Sequence, residues 1–252
     1  MRWRVGYSCG LGHLPILLLR MARLSRLVVA GLAHHVTLRA VFGSEAVVDA
    51  ADHTLFLDAL RRSGSEHGVA IHACALLGHE VQLLATPTTA EDLGRMMQAL
   101  ARFYVGAFNR RHGRSGALWQ SRFRAAPVGG ATELLTCMLY IEQAPRRAGV
   151  SGQVVDFAWS SAAHHVGIRS NPLLDSVPPA SGYWLLGNTP FEREAAYAAL
   201  LESPRSMDER ARIEATTLTG WAMGSGEFIA SLATEAPRRP VAQSRGRPRK
   251  VV

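Results

Sequence analysis

The apolar positions between residues 32 and 143 fall into short runs of strand formers and stretches of helical spacing. Leu32 to Leu38 is rich in strand formers and predicts a first strand. From Asp52 to Arg62, Leu55, Phe56, Ala59 and Leu60 recur at helical spacing. Val69 to Cys74 and Val81 to Ala85 predict a hairpin joined through Leu77-Gly78-His79. Thr86-Pro87-Thr88 ends its second strand, and Glu91 and Asp92 open a long helix, because acids suit a helix N-terminus. The stripe of that helix is Leu93, Met96, Met97, Leu100, Phe103, Tyr104 and Ala107, with Phe103 and Tyr104 assigned to the core, and Gly113 and Gly116 break it. Phe123 to Val128 predicts a further strand in which Pro127 suits an edge. A helix from Thr132 to Gln143 stops before Pro145. Strand, helix, two strands, helix, strand is an α+β pattern of the ferredoxin-like kind, an antiparallel sheet with helices on one face.

Past Trp159-Ser160-Ser161 the texture changes. Residues 169–185 are rich in Pro, Ser and Gly and are expected to be a linker. Thr189-Pro190-Phe191-Glu192 is a capping box with proline at the first helical position. Ser206-Met207-Asp208-Glu209 is a second such signal, and Ser225 can cap a third short helix, so 186–234 is expected to be a small helical module. Residues 235–252 are expected to be a disordered basic tail, without an acid from Arg238 onward. At the other end, Met1 to Arg20 carries an apolar run too short for a signal peptide. Regular patterning begins at Met21-Ala22-Arg23, so residues 1–20 are expected to be a non-native extension and 21–168 the main domain.

Charge narrows the choice of partner. The 252 residues carry a net +8, and the pI is near 10.2, which points to a polyanion. No apolar stretch approaches the ~20 residues of a spanning helix, so no membrane is expected. Cys9, Cys74 and Cys137 are too few and too scattered for a disulfide framework, which favours a reducing cytoplasm and, with the charge, the nucleoid. Between Gly94 and Thr132 stand Arg95, Arg102, Arg110, Arg111, Arg114, Arg122 and Arg124 with no acid among them. Phe103, Tyr104, Phe108, Trp119 and Phe123 are interleaved, and a basic groove with stacking rings suits single-stranded or looped nucleic acid. On a helical wheel Tyr140 falls opposite the stripe of Leu134, Met138 and Ile141, on the polar face, from which a hydroxyl can be presented to a phosphodiester.

Three passages resemble the single-tyrosine transposases of the HUH type, in particular the REP-associated group. Ile71 to Pro87 resembles their signature strand, which ends in Asn-His-x-His-Leu-Leu. Asn109-Arg110-Arg111-His112-Gly113-Arg114-Ser115-Gly116, followed by Leu118-Trp119-Gln120-Ser121-Arg122-Phe123, is similar to a second passage. Tyr140-Ile141-Glu142-Gln143-Ala144-Pro145-Arg146-Arg147-Ala148-Gly149 is similar to Tyr-Ile-x-x-Asn-Pro-x-Arg-Ala-Gly, and the likeness extends over about 24–168. It implies a tyrosine, here Tyr140, that forms a 5′-phosphotyrosine link at a DNA hairpin. It also implies a metal held by two histidines on one strand face and a third ligand four residues after the tyrosine.

This chain departs at each metal position. Glu80 and Gln82 replace the histidines, and Ala144 stands at the third place. Glu80 and Gln82 still share a strand face and offer oxygens that suit Mg or Mn, so they define a degenerate metal site. Two readings follow: a metal-dependent enzyme with Tyr140 as nucleophile, or a DNA-binding descendant that no longer cuts. A third, an RNA-binding ferredoxin-like domain, lacks the paired aromatic motif. Arg245-Gly246-Arg247-Pro248-Arg249-Lys250 resembles an AT-hook for A/T-rich duplex, so Arg245, Arg247, Arg249 and Lys250 join the candidate DNA contacts.

Overall fold

The computed structural model describes residues 25–236 and 238–241. The expectations for residues 1–20 and for Arg245, Arg247, Arg249 and Lys250 fall outside them.

Each predicted element is present, with its ends moved by a few residues. The order is β1 (Ala33–Arg39), α1 (Ala50–Glu66), β2 (Val69–Leu76), β3 (Glu80–Pro87), α2 (Asp92–Arg111), β4 (Arg124–Val128), α3 (Ala131–Glu142) and α4 (Ala144–Arg147). The strands form one antiparallel sheet in the order β2-β3-β1-β4, the ferredoxin-like arrangement, with β4 at an edge as Pro127 requires. Side chains alternate across it. Val36, Leu38, Val81, Leu83 and Ala85 face α1 and α2, in one core with Phe56, Leu60, Leu93, Met96 and Tyr104.

The opposite face is covered too. Ala33, Ala73, Ala75 and Leu84 pack there against α3, whereas the sequence pattern placed the helices on one face only. The strands are therefore buried almost throughout, unlike a sheet with one wet face. A second layer follows on the α3 side, with α5 (Ala162–His165), α6 (Pro190–Glu202) and α7 (Met207–Thr219) contributing to that core, while α8 (Gly226–Glu235) packs in a separate cluster with Leu27 and Ala222. Their starts are where the capping residues put them. Thr189 forms the reciprocal box with Glu192, and the Ser206 and Ser225 side chains accept from the backbone of Glu209 and Phe228.

The stretch 169–185, expected to be a linker, is bound to the sheet. Ile71 N donates to Asp175 Oδ2, Asp175 N donates to Ile71 O, and His72 Nδ1 lies 2.6 Å from Ser176 O. Higher on the same strand, Leu76 N donates to Trp159 O and Ser161 N to Cys74 O. At the other edge Met223 N donates to Pro127 O, and Gly129 N donates to Met223 O. Gly129 permits this approach, since a Cβ there would stand 2.1 Å from the Phe228 ring of α8.

Candidate nucleic-acid interface and a closed tyrosine site

The face of the sheet beneath α3 brings the predicted site residues together. Glu80 and Gln82 both point to it, and β1 lies alongside with Arg39 opposite Glu80 and Thr37 opposite Gln82. Arg39 was missed by the sequence reading, which ended the first strand one residue short of it. Its guanidinium holds Glu80 at 2.9 Å and Glu214 of α7 at 2.6 Å. Burial alone would lower its pKa, but these two carboxylates raise it above the ordinary arginine value.

Tyr140 stands over this cluster and is only 6% exposed. The wheel had placed it on a polar, presented face. Instead Thr136 through Ala144 are all buried, because α6 and α7 pack over the side that one helix's pattern leaves open. The Arg147 guanidinium lies 3.9 Å above the tyrosine ring, and its Nη1 donates to Tyr140 O. The edge of the ring meets His35 at 5.6 Å between centroids. Burial raises the Tyr140 pKa, Arg147 opposes that rise, and Glu214 and Glu80 add to it. Among the described residues no base stands ready to draw off its proton: burial pushes the His35 pKa down to about 4 although the neighbouring Gln82 opposes that fall, and its Nδ1 is taken up with Thr217 Oγ1 at 2.7 Å.

These donors do not fit a divalent ion. The carboxylate of Glu80 is committed to Arg39, Gln82 Nε2 donates back to Glu80 Oε2 at 3.1 Å, and Ala144 offers no ligand. His35 Nε2 and Gln82 Oε1 are buried without partners among the described residues. An ion drawn to them would stand beside two guanidinium groups, Arg39 and Arg147, and both repel it. In effect Arg39 occupies the electrostatic place of a metal.

Next in the chain, Glu142 is fully buried and serves structure. It accepts from Tyr197 Oη at 2.7 Å and from the Ser161 hydroxyl, with His165 Nδ1 at 2.5 Å, so it ties α3 to α5 and α6.

The arginines of 94–132 divide into three sets. Arg102 and Arg110 are exposed on α2, and Arg95 is exposed there with a weak contact of 3.9 Å to Asp92. Arg111 is committed to Asp49 and Asp52, both at 2.7 Å, and Arg114 lies 5.6 Å from the Phe108 ring and donates to Ala117 O. Arg122 and Arg124 are exposed at the start of β4. Trp119, read as a stacking ring, instead packs against Phe56 and Tyr104 at 6.3 Å. Phe103, read as core, is 49% exposed among the α2 arginines.

An α+β, ferredoxin-like sheet with both faces covered and an uncompensated arginine surface thus defines the class. No protein-family model matches the chain, and no curated protein matches it. Among solved structures it is similar to a REP-associated tyrosine transposase bound to a REP hairpin, at 17% identity and a TM-score of 0.49, over 63% of this chain and 96% of that one. A likeness that faint leaves the reading of this chain to its own residues. No helix of the described residues is long and apolar enough to cross a membrane.

Proposed function

We propose that this chain is a DNA-binding protein of transposase descent that holds hairpin or single-stranded DNA and does not cut it. The observation that carries the proposal is the set of exposed arginines, Arg102, Arg110, Arg122 and Arg124, which have no carboxylate partner among the described residues. Such a surface favours a phosphate backbone, and Phe103 adds an exposed ring among the α2 cations. The ordered resemblance of Ile71–Pro87, Asn109–Phe123 and Tyr140–Gly149 to single-tyrosine transposases supports DNA as the polyanion. The closed site argues against cutting: Tyr140 lies under Arg147 with a raised pKa, and Glu80 is neutralised by Arg39. The RNA alternative needs an open sheet face on which bases stack, and helices cover both faces.

A labelled single-stranded hairpin tests this reading. Affinity is expected to be equal in EDTA and in Mg²⁺ or Mn²⁺, to fall with salt, and to be unchanged in Tyr140→Phe. Arg102→Ala and Arg110→Ala should each weaken binding several-fold at low salt. A metal-dependent covalent protein–DNA adduct in the wild type, lost in Tyr140→Phe, would restore the nicking enzyme.

A further inference from the structure

A cleft of about 390 Å³ lies at the β4 edge, and three distant parts of the chain build it. Arg26 comes from the segment before β1, Ser121, Arg122 and Arg124 from the start of β4, and Trp221 and Arg238 from the segments around α8. None of the four guanidinium groups has a carboxylate within ion-pair distance among the described residues.

Two of them are held in position by neutral groups. Arg26 lies 3.7 Å over the Phe123 ring and its Nε donates to Phe123 O at 3.2 Å. Arg238 lies 4.7 Å from the centre of the Trp221 ring and donates to Gly220 O, while its Nε is buried without a partner among the described residues. Gly220 makes the turn possible, ending α7 at φ 73°. The positive charges crowd one another: burial first, then Arg122 and Arg124, push the Arg26 pKa down to about 10. Fixed cations that repel each other are electrostatically complementary to an anion.

A second cleft of about 260 Å³ shares Ser121, Arg122, Arg124 and Leu218 with the first and reaches Thr37 and Arg39. The two form a track from the β4 edge toward the sheet face beneath α3. A track suits a chain of phosphates better than one small ion.

We infer that this cleft seats a phosphodiester of a DNA strand, gripped by Arg26, Arg122, Arg124 and Arg238, and leads the strand along β4 toward Arg39. The inference rests on the DNA-binding reading and adds the place and the residues of the grip, of which Arg26 and Arg238 lie outside the arginine-rich segment. Free phosphate shares the same chemistry, so the test separates the two.

The full-length protein is titrated with a fluorescent single-stranded oligonucleotide at several salt concentrations, with inorganic phosphate as competitor. Arg26→Ala, Arg124→Ala and Arg238→Ala are each expected to weaken binding about tenfold and to flatten the salt dependence by roughly one phosphate contact. Arg124→Lys keeps the charge without the fork, so it should fall between wild type and Arg124→Ala. An oligonucleotide with neutral methylphosphonate linkages should lose the wild-type affinity and show no further loss in these variants. Inorganic phosphate at the concentration of the oligonucleotide should not displace it. Wild-type binding that all four variants retain, while Arg102→Ala loses it, would overturn the pocket and leave the DNA reading intact. Absence of binding by the wild type itself, or displacement by equimolar phosphate, would overturn both.

Discussion

Single side chains decide the chemistry of this fold, and the decisive ones neutralise each other. Glu80 is the case in point: from the sequence it is a candidate ligand, but in the sheet it is the counterion of Arg39. Spacing within the strand could show that Glu80 and Gln82 share a face. It could not show which residue of β1 stands opposite, because register is set by the pairing of strands far apart in sequence. Glu142 shows the same logic in a structural role. Glu142→Ala would leave Ser161, His165 and Tyr197 without their common acceptor in a dry core. A loss of about 3–5 kcal/mol is expected, read from the urea midpoint. Glu142→Gln should recover part of it, since a side-chain oxygen can still accept from Tyr197.

At the scale of elements, much was legible because the signals are local. Capping residues and proline positions marked α6, α7 and α8, and short runs of strand formers between turn residues marked the four strands. Illegible was what lies outside α3. A helical wheel ranks the faces of one helix, and Tyr140 looked presented because the residues of α6 and α7 that cover that side, Tyr197, Leu201 and Ile213 among them, are remote in sequence. Docking of α8 is similarly hidden and depends on a missing side chain at Gly129. Gly129→Ala would drive a methyl group into the Phe228 ring. Amide exchange should then accelerate over 222–234 while β1 and β3 stay protected. Ser225→Ala should cost this helix about 1 kcal/mol through its lost cap.

For the whole molecule, acidity should be the main threat to stability. His34 and His35 are neighbours on β1 that point to opposite faces, and both are buried, with their pKa values pushed down to about 4, chiefly by burial. In the unfolded chain they return to about 6.5, so between those values the unfolded state binds more protons than the folded one. Their contribution is therefore complete above pH 6.5 and lost as pH falls toward 4, at up to about 1.4 kcal/mol per pH unit for each histidine. Urea midpoints measured from pH 7.5 to 4 should fall through this window. His35→Gln should flatten the slope, provided the variant still folds.

The bonded flanks of the sheet bear on how copies of the protein can meet. Asp175 and Ser160–Ser161 lie against β2, and Met223 bridges to β4, so part of each flank is already bonded to other segments of its own chain. Extension of one molecule's sheet into another's would compete with these segments for the edge hydrogen bonds. On the proposed DNA-binding reading, copies bridged by a shared strand of DNA would separate when the nucleic acid is digested.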